Sequence, residues 1–290
     1  MSIAAATVLA LAAPAAHAAS PRLEPSAQKM AGDYDGSGQD DIAVWRPSDG
    51  TWHVELSTGG VLTDQFGATG DVPVQADYDG DGRTDLAVWR PSNGAWYIKP
   101  SSTGTPYSVV WGIAGDIPVT GDVDGDGKAD LIFFRPSNGT WWVLPSGNHN
   151  PYTASWGTAG DVPVVQDYDG DGKADLAVWR PSDGTWWVIP STTGTGVFLR
   201  QWGALGDIPV LGDFNGDHRA DPTVFRPDGA TWFEYGVTNQ VWGRGEDIPL
   251  AGHYIRSYPR LPGVFKPVSG EFWMQKRADV FWGQLGDIPV

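Results

Sequence analysis

Beyond its N-terminus, no part of this chain keeps a helical apolar period for ten residues or more. Its apolar residues come in short runs rich in β-branched and aromatic side chains, such as Leu86-Ala87-Val88-Trp89, Trp141-Trp142-Val143 and Ile117-Pro118-Val119. Gly, Pro, Asn and Asp punctuate these runs, which is the signature of strands and turns.

The pattern repeats. Acidic loops open at residues 33, 77, 122, 167 and 213, at spacings of 44, 45, 45 and 46, and a sixth unit opens at His253 after 40. Each unit reads loop, Asp-Leu-Ala-Val-Trp-Arg-Pro, a Ser-Asn-Gly or Ser-Asp-Gly turn, Gly-Thr-Trp-Trp-Val, a Ser/Thr/Gly hairpin, Trp-Gly, and Gly-Asp-Ile/Val-Pro-Val. Four strands in about 45 residues mark a propeller blade. The expectation is an all-β propeller of six four-stranded blades, with a seven-bladed or incomplete ring as the alternative. Gly286-Asp287-Ile288-Pro289-Val290 matches the segments that run into a loop elsewhere, so it is expected to sit against the first unit and close the ring.

All sixteen tryptophans occupy repeat positions. Trp45, Trp89 and Trp179 lie on second strands; Trp52, Trp96, Trp141, Trp186 and Trp232 open third strands. Trp142, Trp187 and Trp273 follow directly, and Trp111, Trp156, Trp202, Trp242 and Trp282 precede glycine. A residue that every blade needs is most simply packing between blades. The third group varies most (His53, Tyr97 and Phe233 share its place), so Trp142 and Trp187 are the candidates for stacking on a ligand. The strand-end cations Arg46, Arg90, Arg135, Arg180, Arg226 and Lys266 read as partners of a carboxylate or an indole. The sharper reading is a cationic ring for an anion.

The loops carry the chemistry. Asp77, Asp79, Asp81 and Asp85 stand at the first, third, fifth and ninth places, as do Asp122, Asp124, Asp126 and Asp130, and Asp167, Asp169, Asp171 and Asp175. Two looser copies hold Asp33, Asp35, Ser37 and Asp41, and Asp213, Asn215, Asp217 and Asp221. Carboxylates on alternate residues of a tight turn converge, which their repulsion permits only around a hard cation. Calcium, with six to eight oxygen ligands, fits, and the carbonyls of Gln39, Arg83, Lys128, Lys173 and Arg219 would complete the cages of about five ions. A glycine bends each loop at its sixth place except at His218, a side chain that tolerates positive φ better than most. The ligand places of the sixth unit hold His253, Ile255, Ser257 and Leu261, so it should bind no metal. No bidentate Glu follows at the twelfth place and strand flanks the loop, which excludes an EF-hand.

The formal charge of −16 follows from these loops: without their eighteen ligand-place carboxylates it becomes +2. No basic stripe exists, which argues against a nucleic-acid partner. An alanine-rich stretch ending in Ala16-His17-Ala18 reads as a signal peptide over 1–18, followed by a linker at 19–29 and the propeller at 30–290. The usual positive n-region is missing, consistent with a start codon further upstream. No later run is long enough to span a bilayer. The chain has no cysteine, and extracellular calcium would take the stapling role that disulfides otherwise fill.

These residues resemble the FG-GAP, or VCBS-type, repeat propellers. The acidic loops are similar to the calcium loops of integrin α-subunit heads, and Trp-Gly followed by Gly-Asp-Ile-Pro is similar to the stretches that name the family. Trp-Arg-Pro-Ser with Gly-Thr-Trp-Trp resembles secreted bacterial copies, and a fungal lectin uses similar repeats. The resemblance covers about residues 31–290 and implies fold and calcium rather than activity. The best-known relatives have seven blades.

The histidines share no repeat position, and no nucleophile motif, phosphate loop or catalytic zinc spacing is present. Glu234 and Glu271, in the two divergent units, are the one conceivable glycosidase-like pair, with surface solvation as the blander reading. Three functions remain: a secreted, monomeric, non-catalytic module that binds glycans; an adhesion propeller that binds an extracellular protein; and a hydrolase with its site in units five and six.

Overall fold

The structure, a computed structural model, describes residues 31–237, 239–255, 260–275 and 280–290. The segments read as signal peptide and linker, and Ser257, lie outside the described residues. Six four-stranded antiparallel sheets form the blades of a propeller, and no helix occurs among the described residues. Blade two shows the plan: Val72–Pro73, Leu86–Arg90, Ala95–Lys99 and Tyr107–Val110, in that order across the sheet. The acidic loop joins the first strand to the second, so all loops share one end of the propeller.

The ring closes as expected. Ile288–Pro289 is the first strand of blade one and pairs with Ile42–Arg46, Trp45 opposite Ile288 and Val44 opposite Pro289. The Val290 N–H donates to the Ala43 carbonyl (3.1 Å).

Six hydrophobic clusters hold the blades together, one per interface. Ala43 and Trp45 of blade one pack with Leu86 and Val88 of blade two, while Ile42 and Val44 pack with Ile248 and Phe265 of blade six. The second strands are thus buried on both faces, which is why they read as continuous apolar runs. Fourth strands lie at the rim, with Val110 74% and Val241 77% exposed.

The two adjacent rows of third-strand aromatics point oppositely. Trp186 is fully buried with Leu211 and Val224 of the next blade, and its indole N–H donates to the Trp202 carbonyl (2.8 Å). Trp187 turns toward the preceding blade, edge-on to Trp156 at 6.1 Å.

The cationic ring at the other end resolves into ion pairs. Arg90 forks onto Asp71, Arg135 onto Asp116, Arg180 onto Asp161 and Arg226 onto Asp207, at 2.7–2.9 Å. Each Asp opens the first strand of the same blade and accepts a crossover N–H as well, as Asp116 does from Ile113. This is the bland reading, and it leaves no free ring of cations for an anion. Lys266 departs, pairing with Glu271 at 3.3 Å.

Candidate metal centres and ligand groove

Each acidic loop is built around two carboxylates that bind backbone. In blade two the first-place Asp77 accepts the Gly80 N–H on Oδ1 (2.6 Å) and the Gly82 N–H on Oδ2 (2.9 Å). The ninth-place Asp85 is fully buried and accepts the Tyr78 N–H (2.8 Å) and, from the hairpin between the third and fourth strands, the Ser101 N–H (2.6 Å). Asp41, Asp130 and Asp175 take the same two bonds in their blades. Gly80 and Gly82 have φ of 80° and 83°, a conformation in which a Cβ would be strained. His218 stands in the second of these places in loop five with φ 67°, and its N–H still donates to Asp213 (2.9 Å).

First, third and ninth places converge. Carboxylate oxygens lie within 4.8 Å of one another in Asp33-Asp35-Asp41, Asp77-Asp79-Asp85, Asp122-Asp124-Asp130 and Asp167-Asp169-Asp175, groups that could hold a metal ion. The fifth-place carboxylates stand outside these groups and tie down the hairpin instead: Asp81, Asp126 and Asp171 accept from Ser101, Ser146 and Ser191 Oγ (2.8, 3.0 and 2.6 Å). Ser37 likewise meets Ser57 Oγ at 2.7 Å. Loop five forms no such group among the described residues, since Asn215 replaces its third-place carboxylate and Asp217 joins no cluster. Without an ion, burial pushes Asp85 and Asp175 up to about 6, with Asp79 and Asp169 adding repulsion. Burial raises Asp41, Asp130 and Asp221 in the same direction.

The loops also join one another. The eighth-place N–H of each loop donates to the first-place carbonyl of the loop before it: Thr84 to Asp33, Ala129 to Asp77, Ala174 to Asp122, Ala220 to Asp167, Arg260 to Asp213 and Asp40 to His253, at 2.6–3.2 Å. The circle includes the sixth loop, where His253, Ile255 and Leu261 offer no carboxylate. The seventh-place side chain lies across the fourth-place glycine of the preceding loop, so that a Cβ on Gly80 would come 3.2 Å from Lys128.

Trp142 and Trp187, the candidates for stacking on a ligand, are half-buried and have protein rings for neighbours. Phe133 stacks on Trp142 at 5.9 Å, and the Arg135 guanidinium lies 4.7 Å from its centroid. Trp187 carries Arg180 at 5.5 Å, meets Phe198 edge-on at 5.3 Å and donates its N–H to Thr185 Oγ1. The row, His53, Tyr97, Trp142, Trp187, Phe233 and Trp273, is half-buried throughout and holds a flat ring in every blade.

Glu234 and Glu271 are not a catalytic pair. Glu234 ends its strand opposite Thr223, beside the acidic-loop end, whereas Glu271 begins its strand opposite Lys266 at the other end. Glu234 is buried, 5% exposed, so the solvated reading fails for it too.

One feature the repeat pattern did not reveal is a cavity of 230 Å³ between blades two and three, lined among others by Tyr78, Tyr107, Lys128, Ser146 and His149. His149 has φ 53°, in the hairpin place that Gly104 and Gly194 fill at 63° and 60°. The substitution of Asn148-His149-Asn150 for the usual Thr-Gly-Thr was the available signal.

The chain belongs to the FG-GAP-like repeat family, whose profile matches residues 77–133, 122–178 and 167–221. No curated protein sequence matches it. Among solved structures it is similar to virginiamycin B lyase from Staphylococcus aureus (TM-score 0.54, 7% identity, 91% of this chain and 88% of that one). It is also similar to an Agrocybe aegerita lectin that recognises non-reducing terminal N-acetylglucosamine (0.51, 14%, 83% and 87%) and to BBS1N in complex with ARL6DN (0.50, 15%, 90% and 84%). At these identities the likeness is one of fold.

Proposed function

We propose that this protein is an exported, non-catalytic recognition module, stapled by calcium, that binds a glycan in the groove between blades two and three. The observation that carries the reading is the 230 Å³ cavity with Tyr107, Lys128 and His149 on its walls. It is smaller than the ~300–1,000 Å³ of sites for drug-sized ligands, and a single sugar ring suits it. Tyr107 is 44% exposed and offers a ring for stacking, while Lys128 and His149 offer donors to hydroxyls. Holding a non-glycine residue at positive φ costs of order 1 kcal/mol, and such strain gathers at functional sites. The alanine-rich N-terminal segment supports export.

The four carboxylate groups fit calcium, a hard cation that takes oxygen ligands. The fifth-place groups and the carbonyls of Gln39, Arg83, Lys128 and Lys173 are the further oxygens within those loops. Bound calcium would neutralise the buried carboxylates and fix the hairpins that wall the groove. The Agrocybe lectin illustrates that this architecture can carry a sugar site, and the lyase that it can carry catalysis.

A glycan array at millimolar calcium tests the reading with wild type, Tyr107→Ala and His149→Gly. Wild type should bind, Tyr107→Ala should lose at least tenfold, and His149→Gly should weaken binding while raising the melting temperature. A blank array from folded, calcium-loaded protein sinks it. A second reading, a protein partner, is favoured by Leu205, Leu285 and Val268, which stand 80%, 73% and 75% exposed at the opposite end. A pull-down abolished by Leu285→Asp but not by Tyr107→Ala would support that reading instead.

A further inference from the structure

Blade five departs from the others at one cross-strand pair. Ala43 faces Val54, Ala87 faces Ile98, Ile132 faces Val143 and Ala177 faces Val188, all buried. Blade six has Gly263 opposite Met274. In blade five the same pair is Thr223 and Glu234, 0% and 5% exposed. Neither Thr223 Oγ1 nor Glu234 Oε1 has a hydrogen-bond partner. Buried polar atoms are almost always satisfied by protein, water or an ion, so two orphans facing each other call for an occupant.

A third oxygen ligand precedes the pair in sequence. Asp221 lies two residues before Thr223, just ahead of the Thr223–Arg226 strand, and its N–H donates to the Gly212 carbonyl (2.8 Å) as that of Asp85 does to Ala76 in blade two. It is 7% exposed, and its charge reaches Glu234. The loop around it has been rebuilt: Asn215 donates its Nδ2 hydrogen to Asp221 Oδ1 (2.8 Å), the oxygen that elsewhere receives the hairpin N–H. The loop carboxylates of this unit form no three-membered group among the described residues.

We infer that blade five holds its cation on the sheet face rather than in the loop, with Asp221, Thr223 Oγ1 and Glu234 as ligands. Carboxylate and hydroxyl oxygens suit calcium. The inference rests on the reading that the other loops take calcium.

The test counts calcium per chain by native mass spectrometry on the full protein and on Glu234→Gln, Glu234→Val and Asp213→Ala. Wild type should hold one ion more than the four loop groups provide. Both Glu234 variants should hold one fewer than wild type, and Asp213→Ala the same number. Glu234→Val restores the side chain of blades one, three and four, so it should melt above wild type without metal and lose that advantage in saturating calcium. An unchanged count in Glu234→Gln, or loss of an ion in Asp213→Ala, overturns the inference, as would a wild type holding only four ions. A wild type that holds no calcium would bring down the loop reading as well.

Discussion

Arg46 and Asp287 stand 241 residues apart in sequence, yet the guanidinium forks onto the carboxylate at 2.9 and 3.0 Å. The pair repeats, across the join of the two ends of the ring, what blades two to five make between residues 19 apart. The same interaction that orders one blade therefore closes the propeller.

The first prediction concerns this pair. The Asp287 side chain is 1% exposed and the Arg46 side chain 22%. Arg46→Ala should cost about 3 kcal/mol, since it leaves a buried carboxylate with only a backbone donor, and Asp287→Ala about 2 kcal/mol, since the guanidinium can reach water. Denaturant unfolding at saturating calcium measures both; equal or negligible losses would contradict the account. Deleting 286–290 should expose the edge of the Ile42–Arg46 strand and promote aggregation, visible by light scattering.

The two tryptophan rows should differ in energetic weight. Trp186→Ala removes a fully buried ring together with an N–H donor and should cost about 3–5 kcal/mol. Trp187 is half-buried, and its truncation should cost about 1–2 kcal/mol, roughly the value of its lost burial. Glycan binding should survive Trp187→Ala, because the ring faces the preceding blade. Loss of binding without loss of stability would restore the stacking role.

Calcium removal should lower the melting temperature by many degrees. A site bound only in the native state contributes about 2.7 kcal/mol at a hundredfold excess over Kd, and the loop groups act together. Calorimetry with and without chelator measures it. Asp79→Ala should remove one ion, while Ile255→Ala should leave the count unchanged, because the sixth loop offers no carboxylate.

The ion-free protein should become more stable as pH falls from above 6 toward 4. Asp85 and Asp175 titrate at about 6 in the fold against an ordinary 3.8, so the native state holds those protons more tightly than the unfolded one. Stability then falls as pH rises through that window and levels off above it. Calcium competes with the same protons, so its stabilising effect should shrink below pH 6. Melting of metal-free and calcium-loaded protein at pH 7.5, 6 and 5 checks both slopes; a metal-free melt that drops steadily on acidification would overturn this.

The sequence alone determined the repeat, the four strands of each blade, the convergence of Asp77, Asp79 and Asp85 and of the matching residues in three other loops, the lack of carboxylates at the ligand places of the sixth loop, and the return of Ile288–Pro289 to the first unit. These are legible because each is local or copied: alternation follows from the pleat, the turns from glycine and proline, and a defect in one copy stands out against the rest. Tertiary structure decided what depends on a neighbouring blade. Trp142 and Trp187 could have faced solvent on sequence grounds, but the packing of one blade on the next placed them under Arg135 and Arg180. The circle of bonds from Thr84 to Asp33 and onward involves backbone groups, which carry no mark in the sequence. Glu234 read as a surface carboxylate until its strand register set it opposite Thr223 inside an interface. Burial is a property of the assembled ring, and no period within a single unit encodes it.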